Sequence, residues 1–342
     1  MNPSRFFLLV FLFLQPIAVF SNAAMPGVWQ GGAGARFVPL YPSDSSALQS
    51  ISMQREEVLV HLCNGYAVVK GTYWMHNRSD SALSIVVGYP VQGTVNAPIV
   101  NHINLGEPRS LKVLVNGQTV EITKGVADLS GLIGSTSDHT QFDPEKWILW
   151  KTEFAPASMT TITVYFLVNC SEARLRKGYN VKKGHAFAYV LESGKAWLGS
   201  IDTGSIKIKL QEGLKPSRIS GLLPSDVWQA NNDLLSWQFN SLEPSEKSNV
   251  LVWYNVGEDS IYFERDVVPR YQSLFDAIDK FDLSEFERTD SWPKIKKGNL
   301  SAGNGLLTSF TGVFMLVFFL PLAVVAGLFI FWRRRKGSGK MG

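Results

Sequence analysis

The sequence predicts a mostly β chain of one or two β-sandwich (immunoglobulin-like) units, followed by one short juxtamembrane amphipathic helix and a single C-terminal transmembrane helix. Three observations predict it. Short stretches of alternating apolar and polar residues, rich in Val, Ile, Thr, Tyr and Trp, recur with Gly, Pro, Asn and Asp between them, as in a sandwich. Away from the chain ends, helical spacing of apolar residues occurs once, at Tyr271, Leu274, Phe275, Ile278 and Phe281. Residues 306–332 form a 27-residue run without a charge, long enough to span a bilayer.

Taken in order, Arg5 precedes an apolar run over 6–20, and Ser21 and Ala23 are small residues placed for cleavage after Ala23. Residues 1–23 therefore read as a signal peptide. A first sandwich unit is expected over 24–175. Within it, 57–63 and 66–75 face each other across Asn64-Gly65, a two-residue hairpin signal. The stretch 82–89 ends at Pro90, and 111–115 turns at Asn116-Gly117 into 119–122. The loops 92–107 and 130–144 are where a contact surface is expected, because loops on rigid sandwiches carry recognition. Strands 147–154 and 160–168 then pair around Pro156. Cys170 continues the face of Ile162, Val164, Phe166 and Val168, which points its sulfur at the core. In an oxidising compartment a Cys63–Cys170 disulfide is expected, and closing a loop of roughly 100 residues would contribute about 4 kcal/mol. Two buried free thiols are the alternative.

Residues 176–258 hold a second unit or a continuation of the first, with strands at 186–191, 205–210, 234–239 and 249–255. The stretches from Trp150 to Tyr165 and from Trp237 to Tyr254 echo each other, each with a Phe, a Pro and a following alternating run. The echo suits two hairpins with a proline turn. In 259–305, Pro269 suits a first helical turn, and Asp276, Asp279 and Lys280 lie opposite the apolar stripe. A polar tether follows. The span 306–332 is closed by Arg333, Arg334, Arg335 and Lys336, a stop-transfer cluster that assigns 333–342 to the cytoplasm. The expected placement is the cell membrane, single-pass type I, with the N-terminal part outside.

The formal charge of +4 is spread unevenly: six of the 33 basic residues and none of the 29 acidic ones lie in the leader and C-terminal segments. The expected ectodomain keeps 27 basic against 29 acidic residues, which gives no support to a nucleic-acid partner, and none is expected. Asp202-Thr203-Gly204-Ser205 has the form of an aspartic-protease turn, but that chemistry needs two such carboxylates sharing a proton. The string occurs once. Gly-x-Ser-x-Gly, His-Glu-x-x-His and phosphate-loop signatures are absent. His61, His76, His102, His139 and His185 are scattered, so no metal, cofactor or catalytic residue is expected. Asn-x-Ser strings stand at Asn77, Asn169 and Asn299. Trp74, Trp147, Trp150, Trp237 and Trp253 lie in strand patterns, where core packing is their expected use.

The string Ile51-Ser52-Met53-Gln54-Arg55-Glu56-Glu57-Val58, the strand through Val68 and Tyr73 to Asn77, and Val86-Val87-Gly88-Tyr89-Pro90 together resemble a known pattern. They are similar to the start of a family of bacterial exported β-domain proteins of unknown function. The resemblance runs clearly over 51–90, implies a β-sandwich placed outside the cytoplasm, and carries over no functional residue. The expected function is a non-enzymatic binding or interaction module whose partners are the membrane and an unidentified protein or cell-envelope component. A subunit of a membrane complex assembled through the transmembrane helix is the alternative, and an aspartic-type peptidase around Asp202 a more distant one.

Overall fold

Two twelve-residue strands joined by the Asn64-Gly65 turn organise the molecule. A computed structural model describes residues 27–30, 36–39, 45–90, 94–97, 100–104, 108–124, 147–171, 173–177, 180–255, 261–286 and 291–295. Its strands are β1 (Gly27–Gln30), β2 (Arg36–Pro39), β3 (Ile51–Leu62), β4 (Tyr66–Asn77), β5 (Leu83–Pro90), β6 (Thr94–Ala97) and β7 (Val100–Asn104). They continue with β8 (Pro108–Val115), β9 (Gln118–Thr119), β10 (Thr123–Lys124), β11 (Trp147–Phe154), β12 (Met159–Asn169), β13 (Ala173–Lys177) and β14 (Asn180–Tyr189). The last are β15 (Ile201–Leu210), β16 (Ile219–Leu223), β17 (Gln229–Asn231), β18 (Leu234–Leu242) and β19 (Val250–Tyr254). A helical turn, α1 (Ser45–Leu48), precedes β3, and the nine-residue helix α2 (Tyr271–Asp279) follows the strands.

The central sheet has eight strands in the order β17-β18-β15-β3-β4-β12-β8-β9. Every pair in it is antiparallel except β15 with β3, which run parallel from Thr203 beside Arg55 to Leu210 beside Leu62. One face buries Val58, Val60, Tyr73, Val164, Phe166, Ile206, Ile208 and Leu235 in the main core. Two smaller sheets, β10-β11-β5 and β16-β19-β14-β13-β7-β6, supply the opposing side through residues such as Val87, Trp150, Phe187 and Val252. The other face seats the helical segment. There Leu59, Val68, Tyr165 and Leu167 meet Phe263, Phe275, Ile278, Phe286 and Trp292.

This arrangement corrects the expected immunoglobulin-like sandwich. A mixed sheet with a parallel pair, covered on both faces, is a different architecture from two antiparallel sheets face to face. In the central sheet β15 lies beside β3 and β18 beside β15. The proline echoes are corrected too. β11 pairs with β5 and β12 with β4, while β18 pairs with β15 and β19 with β14. The chain around Pro156 and Pro244 therefore crosses from one sheet to another instead of closing a hairpin.

The single-pass type I membrane placement is corrected as well. Among the described residues no helix is long and apolar enough to cross a membrane. The nine residues of α2 rise only about 14 Å, under half of a hydrocarbon core of about 30 Å, and its apolar side, Phe275 and Ile278, is buried on the sheet. The leader 1–23, the run 306–332 and the cluster Arg333, Arg334, Arg335 and Lys336 lie outside the described residues.

The expected disulfide is corrected too: Cys63 and Cys170 are both free and buried. Cys63 follows β3 and joins the cluster under α2, whereas Cys170 follows β12 and joins the main core. They lie on opposite faces, and β4 runs between β3 and β12. Two strand spacings are about 10 Å, beyond the roughly 7 Å that a disulfide bridges between Cα atoms. Burial pushes the Cys63 thiol up to about 12 and raises that of Cys170 as well, so neither is a reactive thiolate at neutral pH.

Candidate functional site

A strand exposes alternate residues on each face, and on the helix-bearing face of the central sheet the pairing lines up polar side chains in three cross-strand rows. Asn240, Thr203, Arg55 and Trp74 form the first. Gln238, Ser205, Glu57 and Thr72 form the second. Gln229, Ser236, Lys207 and Leu59 form the third. The helical layer seals the part of this face that carries Leu59 and Val68. Beside it the face opens into a groove of about 780 Å³, whose floor includes Arg55, Glu57, Thr203, Ser205, Lys207, Gln238 and Asn240. Leu283 and Phe286 from the turn Leu283–Phe286 and Lys294 from the following segment make its far wall.

Within the groove the charges differ in what they already hold. Arg55 pairs with Glu57 and lies 4.8 Å from the centroid of the Trp74 ring. Lys209, next along β15, donates to Asp233 Oδ1 at 3.2 Å and Glu285 Oε2 at 3.0 Å, tying the sheet to the helical layer. Burial opposes its charge, but these two bonds outweigh it and its pKa rises. Lys207 has no carboxylate partner among the described residues; its ammonium lies 5.8 Å from the Phe286 ring centroid. Ser205 is 8% exposed and Ser236 fully buried, and neither hydroxyl has a hydrogen-bond partner. Both hydroxyl oxygens are enclosed by the protein and not open to the groove.

A second polar cluster is enclosed in the main core. Between Met53 and Arg55 the β3–β4 register slips by one residue, and that bulge reverses which side chains face inward. Met53 and Val58 both point into the core, and Glu56 with them, although its neighbours in sequence are polar. The Glu56 side chain is 0% exposed and accepts a 2.8 Å hydrogen bond from the Tyr189 hydroxyl, which lies 2.7 Å from that of Tyr73. Burial, then the Glu56 charge, holds the Tyr189 hydroxyl well above its ordinary pKa. Gly71 makes the room: a Cβ there would sit 2.5 Å from the Tyr73 hydroxyl. With no opening to solvent, this cluster serves the core.

The other singled-out residues fall in structural roles. Asp202-Thr203-Gly204-Ser205 is not a turn but part of β15, paired on both sides. A Cβ on Gly204 would fall 2.2 Å from the Phe239 ring, so the glycine answers to packing. Asn77 Oδ1 accepts from the backbone N–H and hydroxyl of Ser79 at 3.0 and 2.8 Å. Asn169 holds Ser171 in the same way. Both Asn-x-Ser strings are thus side-chain-capped turns, and Asn77, fully buried, also donates to the carbonyls of Ser81, Phe154 and Ala155. Among the described residues no group of His, Cys, Asp and Glu is arranged to hold a metal. Trp150, Trp237 and Trp253 are buried, as expected, while Trp74 stays on the open face under Arg55. The expected contact loop 130–144 lies outside the described residues. Sequence reasoning missed the groove; its signal was the alternation of Arg55 with Glu57, of Thr203, Ser205 and Lys207, and of Ser236, Gln238 and Asn240 on the non-core side.

No protein-family model matches the chain, and no curated protein matches it. Among solved structures, one similar to it is a candidate nutrient binding protein of Legionella pneumophila, with 14% identity, 71% of this chain and 76% of that one covered, and a TM-score of 0.41. Yeast LTA4 hydrolase is similar over 62% of this chain and 30% of its own, with 8% identity and a TM-score of 0.31. At such scores neither likeness bears on what the groove holds.

Proposed function

We propose that this protein is a non-enzymatic binding module whose ligand, part of a partner protein or of a cell-envelope component, occupies the polar groove on the central sheet. The observation that carries the reading is the floor itself. Amide, hydroxyl and charged side chains, among them Arg55, Glu57, Thr203, Lys207, Gln229, Gln238 and Asn240, line a space of about 780 Å³, within the size range of ligand sites. Among the described residues no hydroxyl or amine lining the groove is seen paired with a base as an activated nucleophile would be. Its polar groups suit holding a ligand.

Thr203→Trp tests this. Thr203 is exposed on the groove floor, so an indole there fills the groove without entering the core. Screened on immobilised peptides and polysaccharides, the full chain is expected to bind a ligand that Thr203→Trp loses while its melting temperature stays unchanged. A ligand held equally by both proteins would place recognition elsewhere and refute the assignment.

A further inference from the structure

We propose that the groove's ligand is an acidic saccharide, a polyhydroxylated chain whose anionic substituent is taken by Lys207; this rests on the groove being the binding site. Two features select the class. Strand pairing is exhausted around the groove: β15 and β18 are hydrogen-bonded on both sides, and the edge strand β17 is capped by the segment after Trp292, with Ala230 N–H donating to the Pro293 carbonyl and Ile295 N–H to that of Trp228. An extended peptide adds to a sheet through free main-chain groups, and this site offers none. It offers side chains instead. Gln229, Gln238 and Asn240 along one side carry amides, which both donate and accept, the requirement for recognising hydroxyls whose orientation is not fixed.

The sign of the substituent follows from the charges. Arg55, Lys207 and Lys294 line the groove against Glu57 and Asp226. Arg55 and Glu57 satisfy each other, and Asp226 accepts from the Ser225 hydroxyl at 3.1 Å. Lys207 is left as a cation without an acid among the described residues. An ammonium on the groove floor with no acid beside it suits an oxyanion.

The test measures equilibrium binding of the full chain to polygalacturonate, alginate, hyaluronan and chondroitin sulfate, with methyl-esterified polygalacturonate and amylose as neutral controls. At least one acidic polymer is expected to bind, with affinity falling as salt rises. Its neutral counterpart should be weaker by about tenfold or more, the loss of one charge-assisted contact. Lys207→Met should reproduce that loss and Lys207→Arg recover part of it. Equal binding of acidic and neutral polymers, or indifference to Lys207→Met, overturns the anionic assignment while loss in Thr203→Trp leaves the groove standing. If no saccharide binds but another ligand is lost in Thr203→Trp, the saccharide class falls alone; if Thr203→Trp changes nothing, the site itself falls.

Discussion

Tyr189→Phe removes one oxygen from the enclosed cluster of Glu56, Tyr73 and Tyr189, and its cost follows from the two hydrogen bonds that oxygen makes. The hydroxyl donates to the Glu56 carboxylate at 2.8 Å and lies 2.7 Å from the Tyr73 hydroxyl, with all three residues fully buried. A hydrogen bond to a charged group contributes about 1.5–3 kcal/mol and a neutral one about 1 kcal/mol. The expected loss is therefore about 2.5–4 kcal/mol. For a domain of this size each kcal/mol lowers the melting temperature by about 2–4 °C, so the drop should be on the order of 10 °C. Urea unfolding followed by tryptophan fluorescence measures it, since Trp150, Trp237 and Trp253 line the core. Tyr165→Phe is the control: its hydroxyl bonds Asp279 at the edge of the helical layer, where the side chain of Asp279 is 40% exposed and the loss should stay below about 1 kcal/mol. Combining Tyr189→Phe with Glu56→Met should cost less than the two separate losses summed, because removing both partners avoids stranding either. A Tyr189→Phe loss under about 0.5 kcal/mol, or strict additivity in the pair, would refute the account of the cluster.

Three further outcomes follow from other parts of the structure. Burial, then the Lys209 charge, lowers the His61 pKa to about 4; the unfolded chain binds that proton near pH 6.5, so stability should fall as pH drops from about 6.5 toward 4. In His61→Leu that part of the acid limb should flatten, and an unchanged urea midpoint profile over this range would count against it. Gly204→Ala drives a methyl into Phe239 and to within 3.1 Å of the Glu56 carbonyl, and should lower stability by about 1–3 kcal/mol or more, read as a shifted urea midpoint. Thiol titration should find two free cysteines after denaturation without reductant and almost none reacting in the native protein, as the buried thiols predict; a peptide linking Cys63 to Cys170 in a non-reducing digest would contradict the opposite-face placement.

Local chemistry was legible where neighbours in sequence are neighbours in space. Asn64-Gly65 and Asn116-Gly117 join β3 to β4 and β8 to β9 as expected, since a tight turn with positive φ is a property of the turn residues themselves. The helix near 271–281 was equally readable, because Phe275 and Ile278 declare its buried side. Pairing over long distances was not. Nothing in residues 201–210 says that they lie parallel to 51–62, and strand alternation reads the same whichever strand sits alongside. The bulge at Gln54 was hidden for a related reason: a one-residue slip inverts every following side chain, and Glu56 looks like a surface residue until the slip is seen.

From the sequence alone come the β content, the turns, the single amphipathic helix outside the chain ends and the absence of a reactive motif, because each depends on residues within one or two turns of chain. The tertiary structure decided the mixed sheet, the separation of Cys63 from Cys170 across it, the burial of Glu56, and the groove. Each of these depends on which distant strands become neighbours. That choice rests on how β3, β15 and β18 together bury their apolar faces, a sum over the whole core that no short stretch of sequence contains.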